Sequence, residues 1–368
     1  MRRGIKDYLK NLGQSVAFWT VTSASFVIFR FYGLDQEVGV AVLPGFENGQ
    51  TFFQPMIVFT AIGFSLGLLY ATIDYLFDRY VSRRMALFAN LIFRSLVYFL
   101  VTTALLTASV GVFSRIFELD MDIEQGLWWL SDKRFWAFMY YIILSSFLFS
   151  FIKIAVERFG KGVFLRILMG KYKNPREEDR IFMFLDLKDS TTIAEKIGHF
   201  KYSQFIQDCF YDLNEVVPKF EAEIYQYVGD EAVLSWPYEK GLANNNCVGL
   251  FFAFERQKRS RKNYYIDKYG VFPEFKAGMH GGRLMAAEVG SVKKELAYHG
   301  DVINTSARIQ GECNKHNVSL LVSGKLLKDL DLKIEKYSTS KSLGDILLKG
   351  KQKKVRIHTL TLADAVAG

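Results

Sequence analysis

The stretch RIFMFLDLKDST, residues 180–191, decides the fold of the second half of the chain. Its five consecutive apolar residues predict a buried β-strand that ends at Asp186. A carboxylate at the end of an apolar strand is costly unless it is hydrogen-bonded or bound to a cation. Asp189, Ser190 and Thr191 have side chains that commonly begin a helix. The backbone N–H groups at such a start could instead receive a phosphate.

Downstream of this stretch, strand-like runs are mixed with helical periods. The predicted elements are two helical segments within 189–218, a hairpin of Glu223–Val228 and Glu231–Trp236, a long helix over 241–269, a strand pair over 274–289, a helix over 302–316 and further strands toward Leu362. This order predicts an α+β domain. Asp230 lies at the hairpin tip, so with Asp186 it could hold a hard cation such as Mg²⁺. Gly-Asp is also an ordinary hairpin turn.

Three motifs occur in a fixed order: FLDLKDST at 184–191, YVGDEAV at 227–233 and HGDVINTSARIQ at 299–310. Together with a weaker match, GMHGGRLMAAEVG at 278–290, they resemble the catalytic domain of the class III nucleotidyl cyclases, the adenylyl and guanylyl cyclase family. The resemblance covers residues 176–363. It implies a ferredoxin-like βαββαβ core, a nucleoside triphosphate as substrate and a head-to-tail homodimer with active sites at the interface.

The resemblance also implies roles for the matching residues. Asp186, Asp230 and the carbonyl of Leu187 would bind two Mg²⁺ or Mn²⁺ ions. Asn304 would orient the ribose and Arg308 would neutralise charge on the α-phosphate in the transition state, both from the opposite subunit. Asn304 and Arg308 lie four residues apart in a predicted helix and therefore share one face.

Other matching positions concern the rest of the nucleotide. Lys349, in the motif LLKGK, matches a position that contacts the β- and γ-phosphates, although an exposed lysine in a terminal hairpin is equally compatible with the pattern. At the two positions whose side chains hydrogen-bond to the purine base in the family, this chain has Gln226 and Ala297. Glutamine both donates and accepts hydrogen bonds, and alanine offers none. The expected substrate is ATP, followed by GTP and then a pyrimidine triphosphate.

The first half of the chain differs in composition. Residues 1–170 hold 28 charged side chains, against 57 in residues 171–368. This difference comes from four apolar stretches, each of which reaches the length of a transmembrane helix. They lie near 15–32, 53–77, 87–112 and 135–156.

The predicted fold class is therefore an α-helical membrane bundle of four spans followed by an α+β ferredoxin-like class III cyclase domain. The predicted divisions are a membrane domain at 1–156, a basic amphipathic connecting helix at 157–175 and a catalytic domain at 176–363. Basic residues flank the N-terminus, the second link and the end of the last span, whereas the links at 33–51 and 113–134 are acidic. This distribution predicts that both termini and the catalytic domain are cytoplasmic, in an inner or plasma membrane.

Several alternatives follow from the same sequence. The net charge of +9 is divided almost evenly between the halves, so no nucleic-acid partner is expected. Cys209, Cys247 and Cys313 are too far apart for a Cys-x-x-Cys site. The substituted base positions favour a catalytically silent, cyclase-like membrane receptor as the second hypothesis, and a transporter has little support. Asp74 and Arg94 could pair as a charged switch, or Arg94 could extend to the headgroups with Asp74 at the interface.

Overall fold

A computed structural model describes residues 2–32, 52–80, 87–116, 133–159, 163–292, 294–330 and 337–362. The chain forms two compact units, Met1–Ala155 and Val156–Gly368. The links predicted to face outward, 33–51 and 113–134, lie almost entirely outside the described residues, as does most of the basic link between the second and third spans.

The first unit consists of long apolar helices. They are α1 (Arg2–Tyr32), α2 (Phe53–Tyr80), α3 (Leu87–Ile116) and α4 (Lys133–Phe159). Each contains a segment long and apolar enough to cross a membrane. These segments are Asn11–Phe31, Pro55–Phe77, Ile92–Ser109 and Phe135–Lys153. The prediction of four apolar helices ahead of the polar domain is confirmed.

Helices α1 and α2 approach each other closely at two glycines of α2. A Cβ at Gly63 would lie 2.5 Å from the carbonyl oxygen of Trp19, and one at Gly67 would lie 2.5 Å from Cα of Val16. Small residues four positions apart let the backbones of apolar helices touch. The Ser15 hydroxyl adds a hydrogen bond to the Gly67 carbonyl at 3.0 Å. Backbone proximity therefore holds this helix pair together.

The second unit mixes short helices with one sheet. Its helices are α5 (Val163–Leu168), α6 (Ser190–Ile197), α7 (His199–Val216), α8 (Tyr238–Leu242), α9 (Asn246–Ser260), α10 (Lys262–Tyr269), α11 (Asp301–Gly311), α12 (Cys313–His316) and α13 (Gly324–Asp329). Its strands are β1 (Arg176–Leu187), β2 (Glu223–Val228), β3 (Glu231–Pro237), β4 (Phe275–Val289), β5 (Glu295–His299), β6 (Leu320–Ser323), β7 (Tyr337–Ile346) and β8 (Val355–Leu362).

The strands form one mixed sheet in the order β2-β3-β1-β4-β6-β8-β7, and β5 pairs with β4. Strand β1 is antiparallel to both β3 and β4, whereas β4 and β6 are parallel. Helices connect β1 to β2 and β3 to β4, so the β2-β3-β1-β4 part is a βαββαβ unit. The predicted α+β ferredoxin-like fold is confirmed.

The side chains of β1 alternate between the two faces of the sheet. Ile181, Met183 and Leu185 are fully buried in the larger core, which α7 and α9 cover. Phe182 lies in a smaller cluster on the other face, together with residues of β4, β5 and α11. Asp186 has the same parity as Phe182, and it therefore lies on the face that α11 covers.

Two element predictions are wrong. The expected strand pair over 274–289 is the single strand β4, and its hairpin partner is β5. Within this strand, a Cβ at Gly281 would lie 2.6 Å from the Tyr238 ring, so this glycine serves close packing. The expected long helix over 241–269 is interrupted between α9 and α10. At that break Arg261 donates to the buried Asp212 at 2.6 Å.

The segment that connects the two halves packs on the sheet. The side chain of Arg166 in α5 donates to Glu223 at 2.9 Å, and Ile167 packs against the cluster that contains Tyr172. The Tyr172 carbonyl accepts a hydrogen bond from the Glu288 N–H at 3.0 Å. Residues 163–172 of the predicted connecting segment therefore pack on the sheet of their own domain.

Candidate active site

Strand register surrounds Asp186 with charged neighbours. Lys276 on β4 and Glu231 on β3 lie directly opposite it on the two adjacent strands. Lys276 Nζ lies 3.1 Å from Asp186 Oδ2, and the Gln310 amide donates to the same oxygen at 3.0 Å. No sequence pattern marks Lys276, Glu231 or Gln310, because only the strand register and the packing of α11 bring them to Asp186.

Gln310 reaches Asp186 because α11 lies unusually close to β4. A Cβ at Gly278 would lie 2.5 Å from Cα of Gln310, so a larger residue would push the helix away from the strand. Gln310 is 7% exposed. A buried amide requires hydrogen-bond partners, and the Asp186 carboxylate provides one of them.

The predicted hairpin of β2 and β3 is confirmed, with Asp230 beside Gly229 in its turn. Burial, together with the charges of Asp186 and Asp230, raises the pKa of Glu231 to about 7. The pKa of a carboxyl group rises in this way where negative charges accumulate around it. The end of β1 and the hairpin tip therefore form one acidic region, and Lys276 opposes it from β4.

Helix α6 begins immediately after the end of β1. Asp189 precedes it with φ of 55°, and its side chain makes no capping hydrogen bond. Its carbonyl instead accepts from the Ile193 N–H at 3.0 Å. Ser190 hydrogen-bonds to Tyr202, whose pKa is raised by burial and then by Asp230. Thr191 is exposed. Because α6 begins directly after β1, the partial positive charge at its N-terminus lies next to the acidic region.

The oxygen atoms of this region fit a divalent cation. Within the described residues, no three His, Cys, Asp or Glu side chains converge on one point. The oxygen atoms available at this edge are the carboxylates of Asp186 and Asp230 and the carbonyl of Leu187, whose side chain is anchored in the core. Such an incomplete oxygen set suits Mg²⁺ or Mn²⁺, because Mg²⁺ is commonly bound by one or two carboxylates together with substrate phosphates.

Helix α11 carries the second group of predicted residues. Asn304 is exposed and Arg308 is half-buried one turn later. Side chains two residues apart on a helix do not face the same side. Since Gln310 points at Asp186 of its own chain, Arg308 projects away from that carboxylate.

The loop between β7 and β8 lies over α11. A Cβ at Gly350 would lie 3.4 Å from Arg308 Nη2, and Lys351 Nζ lies 2.5 Å from the Asp301 carboxylate at the start of the helix. Lys349 precedes Gly350 and is exposed. The structure therefore brings Lys349 into the same region as Arg308.

The two residues predicted to contact the purine base lie on strands β2 and β5, and a tyrosine next to each of them packs against the other. Gln226 is exposed on β2, and Ala297 is half-buried on β5. The neighbouring rings of Tyr225 and Tyr298 have centroids 5.1 Å apart, and the Tyr225 hydroxyl bonds to the Tyr298 backbone. The structure thus brings Asp186, Asp230 and the start of α6 into one region, and it brings Arg308 of α11 and the loop that contains Lys349 into another. Gln226 and Ala297 lie on β2 and β5.

Comparison with known proteins identifies the family to which the chain is similar. The family model of the adenylate and guanylate cyclase catalytic domain matches residues 173–362. Over 221 residues the chain is 33% identical to adenylate cyclase 2 of Rhizobium meliloti, a match that covers 60% of each protein. It is also 27% identical over 169 residues to adenylate cyclase 1 of the same organism, covering 44% of this chain and 25% of that relative. The chain thus spans less than two thirds of either relative.

A solved structure shares the fold. A bacterial light-regulated adenylyl cyclase superimposes with a TM-score of 0.50 at 16% identity, covering 59% of this chain and 64% of that one. Similarity at this level of identity concerns the arrangement of strands and helices, and it agrees with the βαββαβ unit described above.

Proposed function

The chain belongs to the adenylate and guanylate cyclase catalytic-domain family, and from that premise we propose that it is a membrane-anchored nucleotidyl cyclase. It converts a nucleoside triphosphate, with ATP as the first candidate, to the 3′,5′-cyclic monophosphate and pyrophosphate. The observation that carries the proposal is the acidic region at Asp186 and Asp230, where the pKa of Glu231 rises to about 7. Lys276 offsets part of this negative charge, and bound metal ions would offset the rest.

Asp186, Asp230 and the Leu187 carbonyl hold two Mg²⁺ or Mn²⁺ ions in this proposal. Bound there, the ions would make the ribose 3′-hydroxyl more acidic and neutralise charge on the phosphates. The backbone N–H groups at Ser190 and Thr191 begin α6, and they are suited to receive a phosphate oxygen. The chain thereby holds the triphosphate in line for attack on the α-phosphorus.

Arg308 acts in the active site of the partner subunit. It projects away from its own Asp186, because Gln310, two residues later, points at that carboxylate. A head-to-tail homodimer would bring Arg308 to the α-phosphate, Asn304 to the ribose and Lys349 to the β- and γ-phosphates of the opposite site. A fixed guanidinium aimed at charge that develops in the transition state raises turnover more than substrate affinity.

The proposed location is the inner or plasma membrane, with the catalytic domain in the cytoplasm. Four apolar helices support the membrane assignment, and the basic flanks of the spans support the orientation. A protease-accessibility experiment on sealed spheroplasts tests it. Cleavage of the catalytic domain from the outside would reverse the orientation.

The nucleotide is tested directly with the full chain in lipid nanodiscs. Each of the four ribonucleoside triphosphates is incubated with Mn²⁺, and cyclic products are separated by chromatography, with Asp186→Ala as the inactive control. We expect cyclic AMP as the main product. A different cyclic nucleotide would change the substrate and keep the enzyme.

A catalytically silent receptor is the second candidate, because Ala297 offers no side-chain hydrogen bond at a base-reading position. Absence of product from all four nucleotides, with protein that still binds one of them, would favour this receptor over the enzyme.

A further inference from the structure

We infer that Gln310 is a positioning residue that fixes the Asp186 carboxylate and couples the metal-binding end of β1 to α11. This inference rests on the proposed function, because it concerns how the proposed metal ligand is held. Gln310 itself would touch neither the nucleotide nor the ions. It acts through Asp186.

Two side chains from different elements donate to the same oxygen of Asp186. Lys276 of β4 lies 3.1 Å from Oδ2, and the Gln310 amide of α11 lies 3.0 Å from the same atom. The other oxygen, Oδ1, is therefore the one that a cation could share without breaking either bond. The pair of donors sets the side-chain torsion of Asp186 before any ligand arrives.

The chemistry of an amide suits this position. An ionised carboxylate only accepts hydrogen bonds, so the Gln310 N–H must be the donor. Because the amide is neutral, it orients Asp186 without cancelling the charge that attracts a cation. Lys276 already reduces that charge. Hydrogen bonds that orient metal ligands commonly change metal affinity by about 10- to 100-fold.

The same bond connects two functions of α11. Arg308 and Asn304 lie on this helix and would act in the partner's active site, whereas Gln310 holds a ligand of the chain's own site. The close approach of the helix at Gly278 makes this dual contact possible. A displacement of α11 at one site would therefore reach the metal carboxylate of the other site through a single hydrogen bond.

The first test measures Mn²⁺ binding to the full chain by electron paramagnetic resonance without nucleotide. Gln310→Met keeps a similar side-chain volume and removes the donor. We expect its dissociation constant for Mn²⁺ to rise about tenfold. Gln310→Asn, whose amide is one methylene shorter, is expected to weaken binding in the same direction and replaces the methionine variant if that protein does not fold.

The chain offers a matched control for the loss of such a bond. The Gln257 amide on α9 donates to the buried Asp212 at 3.2 Å, so Gln257→Met removes the same kind of contact away from the proposed ligands. We expect this variant to bind Mn²⁺ with the affinity of the wild type. Equal weakening in Gln257→Met and Gln310→Met would overturn the positioning role and indicate a general loss of stability.

A heterodimer separates an effect through Asp186 from an effect on the helix. One chain carries Asp186→Ala, so only its partner retains the complete set of proposed ligands. Gln310→Met in the partner, next to the intact Asp186, should raise the Mn²⁺ dissociation constant about tenfold. The same substitution in the Asp186→Ala chain should leave it within about twofold. Equal weakening in both arrangements contradicts the inference.

Failure of the inference and failure of the proposed function give different results. A wild-type chain that neither binds Mn²⁺ nor forms a cyclic nucleotide refutes the proposed function. A wild-type chain that does both, with Gln310→Met and Gln310→Asn indistinguishable from it in Mn²⁺ affinity, refutes only the positioning role.

Discussion

Asp74 in the helical unit and Asp186 in the sheet unit are both held by cations, yet their surroundings differ in charge. Asp74 is 15% exposed and lies 3.1 Å from Arg94 and 3.7 Å from Lys153. The Tyr98 hydroxyl also donates to it at 2.5 Å. Of the two alternatives that the sequence left open, the pairing of Asp74 with Arg94 is present. Two cations from two other helices surround one carboxylate.

Asp186 is 23% exposed and has the opposite balance. One cation, Lys276, lies next to it, while Asp230 and Glu231 add negative charge. A buried ion is tolerated when its surroundings compensate it. The Asp74 cluster is compensated by its own helices, as expected of a structural contact. Within the described residues the Asp186 cluster has one cation, Lys276, beside the carboxyl groups of Asp186, Asp230 and Glu231, and the proposed metal site rests on this difference in balance.

The largest expected effect is on catalysis. Asp186→Asn should reduce the rate of cyclic nucleotide formation by about 10³-fold or more, because a proposed metal ligand loses its charge. Asp74→Asn should keep the rate within about a factor of ten, since its carboxylate compensates charge inside the bundle. Both are measured with purified protein in nanodiscs. Equal loss in the two variants would remove the distinction between the clusters.

Arg308 provides the second comparison, with Arg94. Arg94 is paired with Asp74, whereas no ion pair within the described ranges involves Arg308. Arg308→Ala should lower kcat by about 10²- to 10³-fold and change KM little, because the guanidinium acts on transition-state charge. A steady-state titration of nucleotide gives both constants. A rise in KM alone would make Arg308 a substrate-binding residue instead.

The proposed dimer gives this prediction a complementary form. Neither Asp186→Ala nor Arg308→Ala should be active alone, whereas heterodimers of the two contain one intact site. Each heterodimer should recover up to about half of the activity of a wild-type dimer, in line with one site of two. No recovery, with heterodimers confirmed by two affinity tags, would contradict an active site shared between subunits.

Local patterns predicted much of this molecule because they act over short distances. Apolar length alone predicted the four helices, and the run before Asp186 predicted β1. The Gly-Asp pair predicted the hairpin, and the four-residue spacing of Asn304 and Arg308 predicted their common helix. Each of these features depends on residues within about one element of each other.

The sequence could not predict contacts that depend on register and packing. Lys276 faces Asp186 only because β1 and β4 pair in one antiparallel register, and a one-residue slip would put them on opposite faces. Gln310 reaches Asp186 because Gly278 lets α11 approach β4. The strand pair expected over 274–289 is wrong for the same reason, because Gly281 lies inside the single strand β4 and lets the Tyr238 ring approach it.

Stability should distinguish the two carboxylates by size of effect. Asp74→Asn leaves Arg94 and Lys153 without their carboxylate and should lower the free energy of unfolding by about 3 kcal/mol. Asp186→Asn without metal should change it by less than about 1 kcal/mol, because the lost contact with Lys276 is offset by relief from Glu231. Added Mn²⁺ should stabilise the wild type and not Asp186→Asn. Denaturant titrations in mild detergent test this order, and a reversed order would contradict it.

His280 in the sheet unit is a third kind of enclosed titratable group, one that is held neutral. Its Nδ1 lies 2.7 Å from the Ser323 hydroxyl, whose oxygen accepts from the Leu326 N–H at 3.3 Å as it caps α13. The Ser323 hydroxyl can donate its proton to Nδ1 or accept one from it, so the contact is compatible with either tautomer of the neutral imidazole. Protonation of the ring would add a charge to a largely buried group, which is unfavourable.

The smallest expected effect is the pH dependence that follows from this neutral imidazole. Burial, then the charges of Lys325 and Lys351, lower the pKa of His280 from 6.5 to about 4, and only Asp301 opposes them. Between pH 6.5 and 4 the unfolded chain therefore binds a proton at His280, whereas the folded chain does not. The contribution of the neutral imidazole to the free energy of unfolding is complete above pH 6.5 and is lost as the pH falls. The loss should be on the order of 2 kcal/mol or less. Urea titrations of the wild type and His280→Gln isolate it, because Asp301 and the other carboxyl groups titrate in both proteins. A difference between the two that stays constant from pH 7.5 to 4.5 would mean that His280 is readily protonated in the folded domain.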